Sequence, residues 1–205
     1  MIVVKNKKAV IVMDKNHRIQ KIANHFKIGL KNFPLFRFQI DTNRINAKAR
    51  EVHMNQLEKW EKEDIITILL SEIVSNELKQ YSKGFEKTSG QCFTMGFAED
   101  EKNPVFTKIQ NILFPNGCKD ENQMNDVRVV FHVYKYKFIL LTNDGDSKSQ
   151  PTGILGNASD LQTHLNITVM RDSGAVNMVQ SEIDKLNEYA KIYSQETVTP
   201  LEFFA

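Results

Sequence analysis

Residues Asp126 to Asp146, DVRVVFHVYKYKFILLTNDGD, are the stretch whose reading decides the fold. The first half, Asp126 to Tyr136, is mostly apolar, with polar breaks at Arg128, His132 and Lys135. It is long enough for about three helical turns. The second half, Phe138 to Leu141, is a continuous apolar run that ends in Thr142, Asn143 and Asp144, followed by Gly145 and Asp146. That pattern predicts a buried parallel strand opening into an acidic turn. One acid thus leads the helix and another closes the strand. A helix laid antiparallel to the strand brings both carboxylates to one edge of the sheet, and in open α/β sheets ligands bind at that edge.

The rest of the chain is ordinary enough to surround such a sheet. Its 205 residues are 41% hydrophobic and 25% charged, values that suit one globular domain with or without an appendage. No apolar run approaches the roughly 18 residues that cross a bilayer. The N-terminal stretch lacks the h-region and small-residue cleavage site of a secretory signal, so a cytoplasmic protein without membrane contact is expected. Cys92 and Cys118 show no metal-ligand spacing and read as reduced thiols. The net charge of +2 hides an asymmetry. Residues 1–40 hold nine Lys and Arg against one acid, Asp14, which leaves 18 bases against 24 acids for the remainder. An acidic body with a basic arm suits a protein that holds cations in one place and polyanions in another. A surface with unevenly dosed charge has the same composition.

Taken in order, IVV and AVIVM within residues 1–13 read as a hairpin joined by Lys5 to Lys8. Ile19, Ile22, Ala23, Phe26 and Leu30 recur at helical spacing. Pro34 marks a boundary between a basic appendage, 1–33, and a main domain, 34–205. Leu35 to Ile40 predicts the first core strand, ending in Asp41, Thr42 and Asn43. A helix is expected from Arg44 to Lys62, with Ile45, Ala49, Val52, Leu57 and Trp60 inward. IITILL then predicts a strand, and Ser71 a cap for a helix that carries Glu77 on the margin of its apolar face. Residues 85–102 read as a loop with partial helix. Asn103-Pro104 opens a further helix, and a short helix near Asn157 or Ser159, the strand NITVM and a long final helix after Asp172-Ser173 follow. Alternating strands and helices predict a parallel sheet covered on both faces, a three-layer α/β/α architecture.

Four acids stand at or near strand ends: Asp41, Glu77, Asp126 and Asp144. Carboxylates brought close together repel, and stay ionised at low cost only with a cation among them. Hard oxygen donors without His or Cys select Mg²⁺ or Mn²⁺, which polarise a phosphodiester and activate a water for in-line attack.

The ordered set resembles the PIN-domain nucleases, a fold shared by toxin ribonucleases and RNA-processing endonucleases. Ile40-Asp41-Thr42-Asn43 resembles the family's first motif, and Ser71 to Leu78 its second, in which the Glu before Leu is the acid. Asp126, with Thr142-Asn143-Asp144 beginning sixteen positions later, resembles the third and fourth. The resemblance covers about residues 35–185. It implies a metal-dependent endoribonuclease with Asp41, Glu77, Asp126 and Asp144 as catalytic metal ligands, and with Asp146 as an auxiliary ligand or a turn residue. It leaves Thr142 and Asn43 to orient the acids or hold the scissile phosphate. RNA is the implied substrate, with a cognate antitoxin or other protein, or a second copy of the chain, as possible partners. Lys5, Lys7 and Lys8 are the candidate RNA-binding residues of the arm. The sequence departs from the family at Arg128, Phe131 and His132, where small residues are usual, and in a longer insert between Glu77 and Asp126. His132 reads as structural or surface, because six positions from Asp126 is out of helical register.

Two other readings remain. One is a catalytically inactive PIN-like RNA-binding or scaffold module. The other is a Toprim-like or phosphatase-like enzyme built on Asp144-Gly145-Asp146, although Asp41-Thr42-Asn43 lacks the second acid that an aspartyl-phosphate enzyme needs.

Overall fold

The computed structural model describes residues 2–5, 8–11, 14–45, 50–81, 91–93, 102–145 and 152–197, with the backbone alone at 2–5, 8–11, 78–81 and 91–93. Two compact units are present, Met1–Leu35 with Asn177–Ala205, and Phe36–Val176.

In the first unit, strands β1 (Ile2–Lys5) and β2 (Lys8–Ile11) pair antiparallel, with Lys5 opposite Lys8. Helix α1 (Lys15–Phe26) starts at Asp14, whose carboxylate accepts from the Asn16 N–H, and ends at Lys27 in the left-handed conformation. It buries Ile19 and Ile22, two of the positions picked out by their spacing. Asn16 ties down the return of the chain, accepting from the Phe33 N–H at 2.6 Å and donating to the Phe33 carbonyl at 3.3 Å. The end of the last helix belongs to this unit, where Glu196 meets His25 at 2.5 Å and Tyr189 and Tyr193 lie against Phe26 and His25.

The second unit is built on a five-stranded, wholly parallel sheet. Its elements are β3 (Arg37–Ile40), α2 (Val52–Lys62), β4 (Thr67–Ser71), α3 (Glu72–Tyr81), β5 (Gln91–Phe93), α4 (Pro104–Leu113), α5 (Glu121–Tyr136), β6 (Ile139–Leu141), α6 (Ala158–Leu165) and β7 (Thr168–Met170). Helix α7 (Asp172–Thr197) follows. The spatial order β5-β4-β3-β6-β7 reverses direction between β3 and β6, which makes the carboxyl edge at those two strands the topological switch point, where ligands bind in open α/β sheets. Phe38, Gln39 and Ile40 point alternately to opposite faces yet are all buried, so the sheet is covered on both sides as predicted. On one face α5 lies over β3, where Gln39 donates to the Val129 carbonyl at 3.3 Å and meets His132 Nδ1 at 2.5 Å. Since the Gln39 amide nitrogen is already committed to Val129, its oxygen must be the acceptor, which puts the proton on Nδ1. His132 is therefore structural, and burial, with Lys135 second, pulls its pKa down to about 4.

Local chemistry explains most elements. Asn103 accepts from the Val105 N–H with Pro104 behind it, and Ser71 Oγ accepts from the Val74 N–H at 3.3 Å, both as expected. Several boundaries differ from expectation. Arg44, expected to open a helix, instead ends a 3-10 turn, Thr42–Arg44, that Asp41 caps through the Thr42 N–H at 2.7 Å, and Ala49, expected inward, lies outside the described residues. Helix α2 begins only at Val52, which is 75% exposed rather than inward, and its buried face is Met54, Leu57 and Trp60. Helix α5 starts at Glu121, not at Asp126, because Asp120 caps it through the Gln123 N–H at 2.9 Å. The polar stretch read as loop contains the edge strand β5, which pairs with β4. Among the described residues no helix is long and apolar enough to cross a membrane.

Candidate metal centre

Chain geometry delivers the acids to one edge. Helix α5 closes at Lys137, in the left-handed conformation, and the chain turns back into β6. Asp126 lies ten residues before Tyr136, about 15 Å along α5, and Asp144 lies three residues beyond Leu141, the end of β6, so the returning chain brings it back toward the level of Asp126. Asp41 leaves β3, the strand next to β6, and Glu77 comes from α3.

Asp41 is 8% exposed and held by three donors. Its Oδ1 accepts from the Thr42 N–H at 2.7 Å, and its Oδ2 from Asn43 Nδ2 and Thr142 Oγ1, each at 2.7 Å. The Thr142 hydroxyl, fully buried, accepts in turn from the Asp144 N–H at 2.9 Å and from Asn43 Nδ2 at 3.1 Å. Asn43 Oδ1 accepts from the Asn143 N–H at 3.0 Å, so the turns after β3 and β6 are stitched together. Asn43 and Thr142, singled out by sequence, lie in one network with Asp41.

Glu77 is held from two sides. Thr42 Oγ1 donates to its Oε2, and Asn125 Nδ2 to its Oε1 at 3.0 Å. Asn125 was missed in sequence, where nothing distinguishes it from the polar run before Asp126. Asp144 Oδ2 accepts from the Ile154 N–H at 2.9 Å, and the Asp144 carbonyl from the Leu155 N–H at 2.8 Å. The loop that makes these bonds passes so close that a Cβ at Gly153 would lie 2.7 Å from Asp144 Oδ2. Gly145 has φ +88°, and a Cβ there would meet the Thr152 carbonyl at 2.6 Å.

The acids feel one another. Burial, then Asp144, Asp41, Glu77 and Asp120, push the Asp126 carboxyl up to about 8, so it holds a proton at neutral pH. Asp41 is also raised, by burial first, with Asp144 and Glu77 adding to it against the bonds from Thr142 and Thr42. The structure therefore brings together Asp41, Glu77, Asp126 and Asp144. Asp146 and Lys7 lie outside the described residues, and Lys5 and Lys8 face each other across the hairpin of the other unit. Among the described residues no three His, Cys, Asp or Glu side chains converge tightly enough to form a ready metal cage. The donor chemistry still fits a hard divalent cation, since the coupled groups are carboxylates alone. Carboxylates that repel settle apart, and the proton on Asp126 relieves that repulsion.

No protein-family model matches the chain, and a comparison with curated proteins finds no relative.

Proposed function

We propose that this protein is a Mg²⁺- or Mn²⁺-dependent endonuclease that hydrolyses phosphodiester bonds in RNA, using a PIN-like carboxylate site. The observation that carries the reading is the gathering of four acids from four separate segments where strand order reverses, with burial first and then Asp144, Asp41, Glu77 and Asp120 pushing the Asp126 carboxyl up to about 8. Buried like charges are costly, and their usual compensation is a cation or chemistry. A divalent ion held there supplies charge neutralisation of the phosphodiester and acidifies the attacking water. The protein's own part is orientation. Thr142 and Asn43 fix the Asp41 carboxylate, while Thr42 and Asn125 fix Glu77. The Ile154 N–H holds Asp144 through Oδ2. Loss of the Asp126 proton on binding completes the negative set. The Lys- and Arg-rich first unit provides sequence-independent attraction for the phosphate backbone.

The test is cleavage of total RNA with Mn²⁺ and with EDTA, by the wild type and by Asp41→Asn, Asp126→Asn and Asp144→Asn. Each variant should lose at least two to three decades of activity while keeping its fold. Activity that persists in EDTA ends the proposal. The alternative reading is an inactive RNA-binding module on the same fold. Mn²⁺ that fails to raise the melting temperature of the wild type would select it.

A further inference from the structure

Arg44 lies three residues past Asp41, in the turn that carries Thr42 and Asn43, and is 4% exposed. A guanidinium so deeply buried must be matched by partners on more than one side. Its Nη2 donates to Asp172 Oδ2 at 2.6 Å, with the outlying Glu51 carboxylate at 3.5 Å. Its Nη1 lies 2.5 Å from the Asn143 amide oxygen, with that amide turned so that its nitrogen donates to the Thr142 carbonyl. Among the described residues its Nε has no hydrogen-bond partner, so the two terminal nitrogens do the binding.

These partners sit at the ends of three neighbouring strands. Arg44 follows β3, Asn143 follows β6 and Asp172 follows β7, and the three strands are adjacent in the sheet. Asn143 stands between Thr142, which holds Asp41, and Asp144. Asp172 is itself an acid at a strand's carboxyl end, yet it is 7% exposed and its charge is offset by Arg44.

We infer that Arg44 is a positioning residue for the carboxylate site: anchored on Asp172, it clamps the Asp41 turn against the Asp144 turn through Asn143. The inference rests on the cation-binding reading above. Groups that orient first ligands typically change metal affinity by about 10–100-fold when lost. A lysine would keep the charge opposite Asp172 but, as a point charge, could not reach both partners at once.

The experiment is Mn²⁺ titration calorimetry on the full chain without nucleic acid, paired with melting temperatures. Deleting either member of a buried pair leaves the other charge uncompensated, so the pair is removed together as Arg44→Met/Asp172→Leu. That variant should melt near the wild type yet bind Mn²⁺ about 10–100-fold more weakly. Asn143→Ala, at an exposed position, removes the Arg44 contact together with the amide bond to the Thr142 carbonyl; it and Arg44→Lys should each weaken Mn²⁺ several-fold at nearly unchanged melting temperature. Wild-type affinity in Asn143→Ala and Arg44→Lys overturns the inference, whether or not the double variant folds. A wild type that binds no Mn²⁺ overturns the cation-binding reading itself, and this inference with it.

Discussion

Gly153→Ala is the sharpest probe of how the Asp144 arm is built. The backbone there has φ +120°, a region that L side chains rarely adopt, and holding alanine in it costs about 1–3 kcal/mol. Space is the second problem. The new Cβ would sit 2.7 Å from Asp144 Oδ2, 3.0 Å from Gly145 Cα and 3.1 Å from Gly145 N, where ordinary contact begins near 3.4 Å. Backbone on one side cannot yield cheaply, so the carboxylate has to withdraw by about 0.7 Å, the shortfall between those distances. That withdrawal strains the bond from Ile154 N–H. Taking about 2 kcal/mol as the strain, the melting temperature should fall by about 4–8 °C. Displacing a ligand by such a distance should also cost about tenfold or more in Mn²⁺ affinity and in cleavage rate. The assay is a thermal melt followed by Mn²⁺ titration. Gly29→Ala serves as control, since a Cβ there meets nothing within 4 Å. If Gly153→Ala melts within a degree of the control and binds Mn²⁺ equally, the account of the loop as a fitted cradle for Asp144 is wrong.

Other expectations follow from the same geometry. His132, 2% exposed and titrating near 4 rather than 6.5, binds its proton in the unfolded chain first, so its contribution is lost as pH falls from 6.5 to 4, by at most about 3 kcal/mol. Asp126 acts in the opposite sense. Its folded pKa of about 8 lies above 3.8, so the stability it contributes is complete below 3.8 and is lost as pH rises toward 8. Urea melts in EDTA should therefore show the stability of the wild type relative to Asp126→Asn declining steadily from pH 4 to pH 8, and a flat difference would refute the burial argument. Replacing Lys5, Lys7 and Lys8 with Ala should make the slope of log RNA affinity against log salt shallower by about one to three units, with little change in turnover at saturating RNA. An unchanged slope would leave the hairpin a structural element or a contact between copies.

What the sequence determined by itself was local. Apolar β-branched runs such as IITILL favour buried strands, and the polar ends of two such runs placed Asp41 after β3 and Asp144 after β6. Alternation of strand and helix dictated a parallel, doubly covered sheet, and caps such as Asn103-Pro104 and Ser71 fixed helix starts, because a cap is satisfied within three residues of itself. Tertiary structure decided the rest. The short edge strand β5 exists because β4 offers it hydrogen bonds, and no property of Gln91-Cys92-Phe93 announces that partner. Asn125 gains meaning only from Glu77, 48 positions earlier, and Arg44 only from Asp172, 128 positions later. Even the titration of Asp126 is a property of its neighbours. An isolated aspartate ionises near 4, and only burial beside four other acids carries it to about 8.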